Sequence, residues 1–272
     1  MLYVNTNNKN LTYTAFQALK ADFEPADGMI APLRLPAFSK KDLNTIYSSG
    51  VSGAISFVLN KFFYSKISAA DVEAIVHKQL FSAKELDRRT ILVGLNKDYF
   101  KFEQAVFKLL CSEECTPSVW SKCTIRISLI AAMFGELRRN GTRKMDFAVN
   151  SDDICSIIPV LYCKIMGLPI DNIVIGASCE DGIWKYLHKS PAASTAAFSY
   201  FLHGLSFVED HMRFTEDLFP YIVSAARAEE IAANMKHVHG STVTLSAAFS
   251  YGAIQGYRAI TGENRTAIVF NA

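Results

Sequence analysis

Four short runs constrain this chain more than any other feature. Residues 90–95 (TILVGL), 145–150 (MDFAVN), 172–177 (NIVIGA) and 266–270 (TAIVF) are nearly continuous in apolar and β-branched residues. They do not alternate polar with apolar positions. A strand of that kind is buried on both faces, as in a parallel sheet covered by helices. Long amphipathic stretches separate the runs, at residues 102–111, 118–139, 154–166, 227–236 and 245–261. Strand, helix, strand, helix predicts an α/β layer fold with the four runs in one sheet. Gly167 and Pro169 supply a helix stop before the third run.

The first ninety residues read differently. Residues 2–5 and 11–14 have the makings of two short paired strands, and residues 13–21 show helical apolar spacing. Pro25, Ala26, Asp27 and Gly28 form a turn signal, and residues 29–35 read as an extended segment. Ser39 is placed to cap a helix, and residues 52–64 read as a strongly apolar one. Ser68 and Asp71 have capping-box spacing, with Val72, Ile75, Val76, Leu80 and Phe81 on one helical face. The expected organisation is a helical N-terminal domain over residues 1–88 and a parallel-sheet domain over residues 89–272.

Composition narrows the function classes. The chain has 272 residues, 50% hydrophobic and 20% charged, with a net charge of +2. That charge gives no footprint for nucleic acid, and no apolar run approaches the ~20 residues that span a bilayer. The first residues lack the basic and apolar regions of a signal peptide, so a cytoplasmic location is expected. The six cysteines contain no C-x-x-C pair, and free thiols are expected. His237 and His239 come nearest to a metal pair, but they precede a glycine in an expected loop, and no metal is assigned.

In an open α/β sheet the chemistry sits at the carboxyl ends of the strands. After the first run come Asn96, Lys97 and Asp98, then Lys101 and Glu103. After the second come Ser151, Asp152 and Asp153; after the third, Ser178, Cys179, Glu180 and Asp181; after the fourth, Asn271. A phosphate cradle needs glycines for close backbone approach and a helix N-terminus free of competing anions. Asp152 and Asp153 occupy that place. They suit the helix dipole and would repel a phosphate. A cation site from Asp152, Asp153 and Glu180 is the sharper alternative to simple helix capping. Lys97 and Lys101 are the nearby amines for imine chemistry, with Lys101 read as solvated. No G-x-S-x-G elbow is present.

The order of these segments resembles the threonine synthase family of fold-type-II pyridoxal-phosphate enzymes. Residues 16–36, FQALKADFEPADGMIAPLRLP, are similar to the family's "EALLxGLAPDGGLYVPxxLP". Residues 163–174, CKIMGLPIDNIV, resemble "AKKMGLPIDKLI". Ser190, Pro191 and Ala192 resemble "SPAMD"; residues 198–202 are similar to the "NFERLL" helix, and residues 242–248 to the "DPHTAV" helix start. The departures fall on the chemistry. The family's "HGPTxxFKDF" runs onto residues 95–105, which puts Glu103 at the Schiff-base lysine; a shift of two would put Lys101 there. "PTGNFGN" falls on residues 150–156 and loses both glycines, leaving Ser151, Asp152, Asp153 and Ser156 at degenerate cofactor positions, with Asn271 at the end of the last strand. The segment carrying "SGDTGSA", which belongs to a small α/β domain, has no counterpart between Leu110 and Ser118. Ala272 stands where the family continues as "HPAKF".

The resemblance therefore implies a threonine-synthase-type N-terminal domain followed by a reduced tryptophan-synthase-β-like sheet domain without the small cofactor-side domain. It implies a catalytically inactive relative with no bound pyridoxal phosphate. Such a protein would act through a protein partner, self-association or an amino-acid-like small molecule. The alternatives are a pyridoxal-phosphate lyase using Lys97 or Lys101 and an amino-acid sensor.

Overall fold

The computed structural model describes residues 1–20, 27–76, 80–96, 99–111, 117–139, 144–192, 195–206 and 215–271. The chain opens with a small antiparallel sheet in which β1 (Tyr3–Asn5) lies between β2 (Thr12–Tyr13) and β3 (Ile30–Pro32). Helix α1 (Ala15–Lys20) follows β2. Of the expected turn, Asp27 and Gly28 are described and residues 25 and 26 lie outside the described residues. Helices α2 (Lys40–Ser48), α3 (Gly50–Phe63) and α4 (Ala69–Ile75) complete this part. Ser39 and Ser68 cap α2 and α4, each in a reciprocal capping box with Asp42 or Asp71. Tyr3 ties β1 to α3, its buried hydroxyl donating to the Phe62 carbonyl at 2.6 Å.

The rest of the chain builds one six-stranded sheet. Its elements are β4 (Phe81–Asp87), β5 (Thr90–Leu95), α5 (Tyr99–Leu110), α6 (Val119–Arg139), β6 (Met145–Asn150), α7 (Ile154–Ile165) and β7 (Ile170–Ala177). Then come α8 (Gly182–Leu187), α9 (Ala196–Ser206), β8 (Leu218–Ile222), α10 (Ala225–His239), α11 (Leu245–Thr261) and β9 (Ala267–Asn271). The strand order is β4-β5-β9-β6-β7-β8. All neighbours are parallel except β4, which is antiparallel to β5. The four apolar runs lie adjacent as β5, β9, β6 and β7, as their composition requires.

Both faces of the sheet are covered. Val93, Phe147, Val149, Ile175, Ile268 and Phe270 point into one core with the buried residues of α3, α6 and α7. Leu92, Ala148, Val174, Ala267 and Val269 face a second core with α10 and α11. Successive residues of each strand thus enter opposite cores, and polar positions would be costly on either side. The first core also takes in Tyr3, Leu19, Ile55, Leu59 and Phe62, so it runs across the expected division at residue 88. Residue 88 itself falls in the turn of the β4–β5 hairpin.

Several expectations change. The helix begun at Ser68 ends at Ile75, and Phe81 opens β4. Leu80 and Phe81 are still buried, but in a strand context. Strand β8 carries Pro220, tolerated because β8 is the edge of the sheet. His237 and His239 lie in the last turn of α10, not in a loop. The stop at Gly167 is as expected: φ is +106°, and the Leu168 amide donates to the Cys163 carbonyl at 2.9 Å. Among the described residues Cys111, Cys123 and Cys163 are buried and Cys179 is exposed, with no disulfide. No described helix is long and apolar enough to cross a membrane.

Candidate functional site

A cleft of about 970 Å³ opens at the carboxyl ends of β5 and β6. Leu95 and Asn96 enter it from the end of β5. Tyr99 and Glu103, four residues apart on α5, share the helix face that lines it. Lys122 and Arg126 do the same on α6. Asn150, Asp152 and Asp153 form the wall at the β6–α7 turn, and Leu245, Ser246 and Phe249 close it from the start of α11.

Arg126 is a buried cation, 8% exposed. Its guanidinium lies 4.7 Å from the Tyr99 ring centroid and 5.4 Å from that of Phe270. Two aromatic faces partly replace the water it has lost. Its Nη1 donates to the Ser156 Oγ at 3.4 Å, and the Ser156 hydroxyl donates to the Asp153 carboxylate. Arg126, Ser156 and Asp153 thereby form a chain from α6 to the start of α7. The Tyr99 hydroxyl is buried, and Arg126 and Glu103 are the charged groups that act on it. Burial pushes this phenol well above its ordinary range; Arg126 opposes that rise and Glu103 adds to it.

The β6–α7 turn engages its own amides. The Ser151 N–H donates to the Gly176 carbonyl at 2.9 Å. The Asp152 N–H donates to the Asn150 Oδ1 at 3.0 Å and the Asp153 N–H to the Asn150 carbonyl at 3.1 Å. The Asp153 carbonyl accepts the N–H groups of Ser156 at 2.9 Å and Ile157 at 3.1 Å. Asp153 is the N-cap of α7, yet its side chain makes no cap bond to the backbone. The capping expected of it is replaced by the bond from Ser156.

Of the residues singled out from the sequence, Glu103, Asp152 and Asp153 meet in the cleft. Ser151 and Ser156 are buried beneath its wall. Lys101 is exposed and is not among the lining residues. Lys97 lies outside the described residues. Asn271 pairs with Gly94 through its backbone, and its side chain lies outside the described set. Glu180 is exposed and away from the lining, so the cation site with Asp152 and Asp153 is not formed. Among the described residues no three His, Cys, Asp or Glu side chains are placed to share a metal ion. Sequence reasoning missed Tyr99, Lys122, Arg126 and Phe249. The available signal was the i, i+4 pair of cations on the otherwise apolar helix VWSKCTIRISLIAAMF.

Eight residues, 111–118, join α5 to α6, and the described residues contain no second parallel sheet. No protein-family model matches this chain, and no curated protein sequence does. Solved structures do. Threonine synthase from Escherichia coli superposes with a TM-score of 0.75 at 14% identity, covering 100% of this chain and 88% of that one. PLP-bound threonine synthase from Brucella melitensis gives a TM-score of 0.73 at 11% identity, over 100% of this chain and 88% of that one. Threonine synthase from yeast gives 0.73 at 11% identity, over 99% and 86%. At such identities the likeness is one of architecture, and this chain has the fold of the threonine synthases.

Proposed function

We propose that this chain is a threonine-synthase-like protein that performs no Schiff-base chemistry and acts by binding. The observation that carries the reading is Glu103, which lines the cleft at the position where the resemblance puts the cofactor lysine. A carboxylate has no amine with which to form an imine. The residues present do not fit pyridoxal phosphate at its other end either. A phosphate needs unengaged amides and a positive helix N-terminus. Here the amides of residues 151–153 bond to the chain itself, and Asp152 and Asp153 bring negative charge to that end.

The cleft is large enough for a small molecule of amino-acid size. Phe100, 74% exposed, and Leu245, 51% exposed, lie at its lining and offer apolar contact to a protein partner or a second copy. The exposed thiol of Cys179 supports a reducing compartment, the cytoplasm. The two domains of the sequence reading remain part of this proposal, with residues 89–272 carrying the cleft.

Borohydride trapping tests the reading. The protein is incubated with pyridoxal phosphate, reduced, digested and mapped by mass spectrometry. The expected result is no pyridoxyl-lysine above that of a denatured control. Stoichiometric modification of Lys97 or Lys101 would overturn it in favour of the pyridoxal-phosphate lyase alternative.

A further inference from the structure

Helix α6 carries two cations into the cleft. Lys122 and Arg126 stand four residues apart, so they share one helix face, and both line the cavity. Like charges at that spacing repel each other. Lys122 is half-buried, and its ammonium has no hydrogen-bond or ion-pair partner among the described residues. Arg126 is buried and lies over the rings of Tyr99 and Phe270. A cation drawn partly out of water favours an anion beside it, and an anion shared by the pair removes their repulsion. We propose that Lys122 and Arg126 together bind the carboxylate of a small organic acid whose body is apolar. This rests on the reading that the cleft does not hold pyridoxal phosphate, and it names the ligand class.

The apolar body follows from the rest of the lining. Leu95, Phe100, Pro117, Leu245 and Phe249 give the cleft an apolar wall. Phe100 and Leu245 are large hydrophobic side chains left exposed there. A ligand that covers them takes apolar surface out of water. The head group follows from the charges. A carboxylate is planar and singly charged, and it can bridge an ammonium and a guanidinium. A phosphate would bring a second negative charge toward Asp152 and Asp153 in the same lining. Glu103 stands in the wall on α5. It can meet an ammonium on the carbon next to the carboxylate, so the shared chemistry has two sources, a simple acid and an apolar amino acid.

Isothermal titration calorimetry with hydrocinnamate, L-phenylalanine, hydrocinnamyl alcohol and acetate tests this. Hydrocinnamate or L-phenylalanine is expected to bind saturably, and the tighter of the two separates a simple acid from an amino acid. Hydrocinnamyl alcohol, which lacks the carboxylate, is expected to bind at least roughly tenfold more weakly than the tighter acid, the loss of a charge-assisted hydrogen bond. Acetate, which lacks the apolar body, is expected to lose at least roughly as much. Lys122→Gln and Arg126→Gln are each expected to weaken the acid by at least roughly tenfold. Arg126 is buried, so Lys122→Gln alone decides if that variant does not fold. No heat from either aromatic acid, an alcohol or acetate that binds as tightly, or unchanged affinity in Lys122→Gln would overturn the proposal. If the acids fail while borohydride traps no pyridoxyl-lysine, this inference fails and the proposed function stands. A trapped Lys97 or Lys101 overturns the proposed function itself.

Discussion

Asp146 is wholly buried in β6 near the amino end of the sheet. One carboxylate oxygen accepts the Asn172 backbone N–H and its Nδ2, each at 3.1 Å, and the other has no partner. Burial raises its pKa; the bonds from Asn172 and the charge of Arg265 only partly offset that. A carboxyl whose pKa is raised on folding keeps its proton where the unfolded chain has lost it. Its contribution to stability is therefore greatest in acid and declines as pH rises from about 3.8 through the raised folded value. Asp146→Asn keeps the accepting oxygen and does not titrate. Urea unfolding across a pH series should show the stability difference moving in the variant's favour over that window; parallel curves would contradict the assignment.

At this scale the site was half legible. Glu103, Asp152 and Asp153 were found because they follow strand ends, where a doubly covered sheet exposes its side chains. Lys122 and Arg126 were not, because charges inside a long helix read as its solvated face. Only the packing of α6 against α7 and the sheet makes Arg126 an interior cation.

The elements meet at backbone distance in one place that bears on the cleft. A Cβ added to Gly176 in β7 would lie 2.5 Å from the Phe249 carbonyl oxygen and 2.6 Å from its carbon. Neither atom belongs to a side chain that can turn away, so α11 must move. Gly176→Ala is expected to cost ~1–3 kcal/mol, read as a lowered urea midpoint. Because Phe249 lines the cleft, the same variant should weaken any cleft ligand. Unchanged stability would mean that α11 docks more loosely than this. The strands were legible where burial on both faces leaves a continuous apolar run. β8 was not, since Pro220 argues against a central strand and says nothing of an edge. β4 was hidden because Leu80 and Phe81 continue the helical spacing of α4 by coincidence, while residues 82–85 are exposed.

For the whole molecule, β9 is the keystone. It pairs with β5 on one side and β6 on the other, although 116 or more residues separate it from either in the chain. Without it the sheet divides into β4-β5 and β6-β7-β8. Deleting residues 267–272 should abolish cooperative thermal unfolding; a sharp transition near that of the full chain would contradict the topology. The proposed function also has a reading at the scale of the whole molecule. Pro117, Glu103 and the acidic α7 turn line one cleft, while the two cores behind it are intact.

The claim that this cleft has left pyridoxal-phosphate chemistry is tested most directly by visible absorption. Wild-type protein and Glu103→Lys are each mixed with pyridoxal phosphate, desalted and scanned. Both should emerge colourless, because restoring an amine at residue 103 restores neither unengaged amides nor a positive end at α7. An absorption band well above the protein's own, surviving desalting in either protein, would contradict the account.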